Sequence, residues 1–69
     1  MISIIAPNIK KIIHDKCLKQ NAVAEKAGYT KQQFNAMLNG RKIIKDVDIV
    51  RIAKVLSVDV STLFEKGSD

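Results

Sequence analysis

The chain has almost no means of making a covalent or metal staple. Cys17 is its only cysteine, so no disulfide can close within one chain and no thiolate zinc cluster can assemble in it. A reducing compartment suits that. Tryptophan is absent and the aromatics are Tyr29, Phe34 and Phe64 alone, so the core falls to Ile, Val, Leu, Met and Ala. The longest uninterrupted apolar run covers only residues 4–7, against the roughly 20 residues that span a bilayer. No membrane helix can be drawn. The opening MISIIAPNIKK has no positive region ahead of its short apolar stretch, which speaks against a secretory signal and for the cytoplasm. No Gly-rich phosphate loop, triad or paired carboxylate appears, so neither an enzyme nor a cofactor, metal or small-molecule site is expected.

What is present is charge of one sign in one place. Twelve Lys and Arg against seven Asp and Glu give +5 over 69 residues. Residues 1–45 hold nine bases and two acids, a balance of +7, while residues 46–69 hold three and five, a balance of −2. The surplus fits an anionic partner, and fits a solubilising surface equally well. With an anionic partner, the acidic last third is expected to face away from it.

Apolar spacing divides the chain into five helices. Pro7 suits a first helical turn, and Ile9, Ile12 and Ile13 then share a face, giving a helix over residues 7–16. Residues 20–27 carry Val23, Ala24 and Ala27 and stop at Gly28. Thr30 can cap a third helix whose buried face is Phe34, Met37 and Leu38, ending near Asn39 and Gly40. A loop, RKIIK, leads to Asp46 as a cap and to a fourth helix over 47–56 that buries Ile49, Val50, Ala53 and Leu56. Asp59 or Ser61 caps a short fifth helix with Val60, Leu63 and Phe64 as its apolar face. Residues 1–6 form an apolar arm outside this domain of residues 7–66, and residues 67–69 a frayed end. The arm either makes a subunit contact, alone or with helix 5 and Val58, or folds back on its own domain.

Two eight-residue helices joined through Gly28, Tyr29 and Thr30 have the lengths of a helix-turn-helix over residues 20–39, though structural α-hairpins share the pattern. The stretch QNAVAEKAGYTKQQFNAMLNGRK resembles the helix-turn-helix of phage-repressor-like, Xre-type DNA-binding proteins. Gln20, Ala24, Gly28, Thr30, Asn39 and Gly40 match the family pattern in register, and RIAKVLSVDVSTLF is similar to its last two helices. The resemblance implies a compact, all-α, five-helix lambda-repressor-like fold. It departs at Ile13 and Leu38, where the family often places a paired Arg and Glu. Both positions here are apolar, a replacement that is neutral or stabilising when made on both sides and costly when made on one. The usual Pro before helix 4 is missing, and Ile43 and Ile44 lie in a loop one residue longer.

The resemblance further implies that helix 3 enters the major groove, with Lys31, Gln32, Gln33, Asn35 and Ala36 toward base edges. Lys can donate to guanine O6 and N7, Gln or Asn can pair bidentately with adenine, and Ala36 can touch a thymine methyl. Lys19, Gln20, Thr30, Asn39, Arg41, Lys42 and Lys45 are the phosphate candidates, which set register without reading sequence. A homodimer on a two-fold symmetric double-stranded DNA operator is the simplest partner arrangement, and a repressor the simplest role. An antitoxin-like protein acting with a second protein, or an interaction module without DNA, are the competing readings. His14 reads as a surface histidine, Cys17 as a packed or half-exposed thiol, and Tyr29 as either a phosphate donor or a ring over helix 2.

Overall fold

The computed structural model describes residues 4–65, and within them the chain is helical with no strand. The helices are α1 (Ile5–Asp15), α2 (Gln20–Ala27), α3 (Lys31–Leu38), α4 (Asp46–Leu56) and α5 (Val60–Leu63). One apolar core unites them: Ile9 and Ile13 from α1, Val23 and Ala24 from α2, Phe34, Met37 and Leu38 from α3, Ile49, Ile52, Ala53 and Leu56 from α4, and Leu63 from α5. No charged or polar residue is buried among the described residues. The all-α, five-helix expectation stands.

The boundary at residue 7 does not. α1 begins at Ile5, and Ile5 and Ala6 are buried, so the end of the expected arm is the first turn of a core helix. Pro7 sits in that turn, where its missing N–H has no partner to lose, and the first helical bond runs from the Asn8 N–H to the Ile4 carbonyl. Ile4 stays 43% exposed. Residues 1–3 of the arm and residues 66–69 lie outside the described residues. Asn8 ties this end of α1 to the far end of the chain, its Nδ2 donating to the carbonyls of Leu63 at 2.7 Å and Glu65 at 2.6 Å.

Two other expectations change phase. In α4, Ile52 is buried and Val50 is 56% exposed, because the set Ile49, Ile52, Ala53 and Leu56 follows the one-face spacing and Val50 lies further round. In α5 only Leu63 turns inward, since four residues make a single turn; Val60 and Phe64 are exposed and Val58 packs against the core instead. The cap of α4 is Lys45, not Asp46: the Asp48 carboxylate, three residues on, accepts the Lys45 N–H at 2.9 Å, while Asp46 accepts from Val47. Asp59 holds the cap position of α5 without a side-chain bond. Ile13 and Leu38 are both buried in the shared core, α1 against α3, where a lone charge at either would have no partner.

Four helices end in the same way. A residue in the left-handed region turns the chain, and the N–H of the residue after it returns to a carbonyl in the helix's last turn. Leu18 bonds Ile13, Tyr29 bonds Ala24, Arg41 bonds Ala36 and Val58 bonds Ala53, each at 2.9–3.0 Å. Gly28 (φ 85°) and Gly40 (φ 77°) make two of these turns, Cys17 (φ 57°) and Ser57 (φ 59°) the others. A Cβ added at Gly28 meets nothing within 4 Å, so it is the conformation and not crowding that favours glycine there. Gly28→Ala is expected to lower stability by about 1–2 kcal/mol, and Ser57→Gly to raise it, as read by thermal melting; equal melting temperatures for the three proteins would refute this account of the turns.

Candidate nucleic-acid interface

Thr30 stands before α3 with extended backbone (φ −76°, ψ 161°), so its side chain can fold over the helix start. Its Oγ1 accepts the Gln33 N–H at 3.0 Å, and the Gln33 Oε1 accepts the Thr30 N–H at 3.0 Å. This reciprocal box satisfies two of the amides a helix start leaves open. Phe34, Met37 and Leu38 face the core, and α3 packs on α1 and α2. Lys31, Gln32, Gln33 and Asn35 are exposed and Ala36 is half-buried, all on the outer side.

The five candidates for base contact are therefore all accessible, and differ in what they have left to offer. Gln32 has its amide uncommitted to any described residue. Gln33 has its carbonyl oxygen committed to Thr30. Asn35 accepts a 3.0 Å bond from Asn39 Nδ2, and Asn39 in turn accepts from Lys10 Nζ at 3.4 Å. Asn39, a phosphate candidate, thus has one of its two Nδ2 donors engaged by Asn35. Lys10 was missed by sequence reasoning: it lies on the polar side of α1, and only the crossing of α1 over α3 brings it to the end of the helix-turn-helix.

The remaining cationic candidates flank the helix-turn-helix along the chain. Lys19 caps α2, with Gln20 half-buried as the first helical residue. Arg41 and Lys42 follow the turn at Gly40, where both their N–H groups bond the Ala36 carbonyl at 2.9 and 3.2 Å. Lys45 opens α4, and all four basic side chains are exposed. His14 is exposed, as is Cys17, which is more open than the packed or half-exposed thiol expected.

Tyr29 is half-buried, beside Asn21 and Glu25 of α2. Its ring stacks on Phe34 with centroids 6.0 Å apart and planes 13° from parallel, and its hydroxyl donates to Asp48 Oδ1 at 2.5 Å. Arg51 of α4 sits over the ring, 5.6 Å from its centre, within cation–π range. One acid of the last third, Asp48, therefore reaches the turn rather than facing away from it. Burial and the bond to Asp48 push the Tyr29 hydroxyl up from 10.0 to about 12. Burial acts to raise the Asp48 carboxyl, but the Tyr29 hydroxyl, the Lys45 N–H, Arg51 and Lys42 together outweigh it and hold it below its ordinary value.

A capped helix anchored by three apolar residues, presented by a tight left-handed turn from the helix before it, defines the helix-turn-helix class of DNA-binding domains. The profile of the Cro/C1-type HTH DNA-binding domain matches residues 8–66, and the chain belongs to that family. Its ligand class is double-stranded DNA. Curated proteins and solved structures yield no significant match. No helix among the described residues is long and apolar enough to cross a membrane.

The Tyr29–Asp48 bond gives a direct measurement, because the chain has one tyrosine. A phenol whose folded value is raised adds stability below pH 10 that is lost as pH climbs through about 12. Ultraviolet titration of the single phenol should place it near 12. In Asp48→Asn it should fall part of the way toward 10, since burial, the larger cause, remains. An unchanged value in Asp48→Asn would remove the carboxylate from this account.

Proposed function

We propose that the protein is a sequence-specific transcriptional regulator, most simply a repressor, that reads the major groove with α3 and binds a two-fold symmetric operator as a homodimer in the cytoplasm. One observation carries the proposal. The exposed face of α3 is built from side-chain amides, with Lys31 its only charge, whereas exposed cations flank the helix-turn-helix along the chain at Lys19, Arg41, Lys42 and Lys45. A surface meant only for phosphate would carry its charge in the centre. Amides at the centre and cations at the rim match base edges inside a groove and phosphates along its walls.

In this reading Gln32 is the principal reader, able to pair bidentately with adenine, and Lys31 donates to guanine O6 or N7. Gln33 and Asn35 contribute what their neighbours leave open, and Ala36 meets a thymine methyl. Lys19, Arg41, Lys42 and Lys45 hold phosphates, with Gln20 at the start of α2. Thr30 supports α3 through its cap, and Asn39 acts through Asn35 rather than on phosphate. Ile4, Val60 and Phe64, exposed at the ends of α1 and α5, supply apolar surface for a second copy. The two α3 helices would then reach half-sites about one helical turn apart.

Selection from a random DNA pool should return a symmetric site whose affinity falls steeply with salt. Gln32→Ala should relax preference at one base pair per half-site at a cost of about 1–3 kcal/mol, while Lys42→Ala should weaken all sequences alike and lower the salt slope by about one. Equal weakening of every sequence by Gln32→Ala would take Gln32 out of the base-reading role.

A further inference from the structure

The chain of side chains from Lys10 through Asn39 to Asn35 has a direction that chemistry alone settles. An ammonium group has donors and no acceptor. The Asn39 atom that meets Lys10 Nζ at 3.4 Å is therefore the oxygen, Oδ1. Asn39 must then turn its Nδ2 toward Asn35, and the Asn35 atom that receives it at 3.0 Å must be Oδ1. Asn35 is left with its oxygen end held toward Asn39, one turn along α3, and its Nδ2 donors as the end uncommitted within the described residues. An unrestrained asparagine can present either end, and its usual choice in a major groove is the bidentate pair with adenine, which needs both.

We propose that Lys10 and Asn39 are positioning residues that hold Asn35 as a hydrogen-bond donor, so that at the base pair it reaches the protein prefers guanine to adenine. This rests on α3 being the major-groove reader. Guanine offers two acceptors there, O6 and N7, whereas adenine sets its N6 donor beside N7 and cytosine offers a donor alone. The same logic governs Gln33, whose Oε1 is drawn to the Thr30 N–H and whose Nε2 is the end left over. Two of the three amides on this face thus act as donors beside Lys31, and the surface favours base edges rich in acceptors. Lys10 acts on a base it does not touch, through two intervening amides.

The experiment uses the full chain and operators obtained by pool selection, compared at the base pair whose preference Asn35→Ala removes. Wild type should prefer guanine there by roughly tenfold, the worth of a well-placed hydrogen bond to a base edge. Asn39→Asp places an acceptor against Asn35, which draws Nδ2 inward and turns the oxygen outward. Preference at that pair should then move from guanine to the donor-bearing adenine or cytosine, even as the added negative charge lowers overall affinity. Asn39→Ala and Lys10→Met, which release the amides without imposing an orientation, should bring guanine and adenine level. Asn39 is exposed and its backbone is right-handed (φ −97°, ψ 7°), so these variants keep the fold, as circular dichroism checks. An unaltered guanine preference in Asn39→Asp, with Asn35→Ala still abolishing it, overturns the proposal while leaving α3 as the reader. If neither Asn35→Ala nor Gln32→Ala changes preference at any position, the major-groove reading itself fails and takes the proposal with it.

Discussion

Eight residues make little more than two helical turns, and isolated helices shorter than about 12–15 residues are marginal in water. The shape of α3 therefore depends on its anchorage, and the anchor is Phe34, which has no exposed surface. Met37 and Leu38 seat the following turn of the same helix. Removing a buried phenylalanine side chain costs about 3–5 kcal/mol, against total stabilities of about 5–15 kcal/mol for folded domains. The reading surface and the core are thus one structure: the outward residues hold their positions because the inward ones are fixed.

Around that anchor the turn is held from outside as well as within. Tyr29 lies flat on Phe34, gives its hydroxyl to Asp48 and takes the Arg51 guanidinium over its ring, so α4 braces the turn that sets the angle of α3. Lys42, on the rim, contributes to the field that keeps Asp48 ionised. The charge of Lys42 and the brace at Tyr29 thus meet at one carboxylate.

The polar side of α3 obeys a separate rule. Each amide has an oxygen end and a nitrogen end, and its neighbours decide which is left outward. Thr30 takes the oxygen of Gln33, and Asn39, turned by Lys10, takes that of Asn35. Two of the three amides on that face are thereby left with their nitrogen ends outward, and Gln32 alone keeps both ends open. On the proposed reading of α3, base preference rests on residues behind that face as well as on those upon it.

Much of this was open to reading along the chain, for a local reason. Gly28, Thr30 and the spacing of Val23, Phe34, Met37 and Leu38 act within three or four residues, and α2 and α3 fell where those signals put them. The failures were local ambiguities. α4 carries apolar residues on two sides, so Val50 could be mistaken for Ile52, and Cys17 and Ser57 take the left-handed turn without the glycine that announces it. Pro7 was read as a helix start although any place in the first turn suits it, which hid Ile5 and Ala6 in the arm.

By itself the order of residues determined the helices, the tight turn and which face of α3 is apolar, because caps and periodicity are properties of neighbours. Tertiary structure alone decided the partner of Tyr29 and the outward atom of Asn35. Those depend on Asp48, 19 residues from Tyr29, and on Lys10, 29 residues from Asn39, and only the crossing of helices brings such groups within a hydrogen bond.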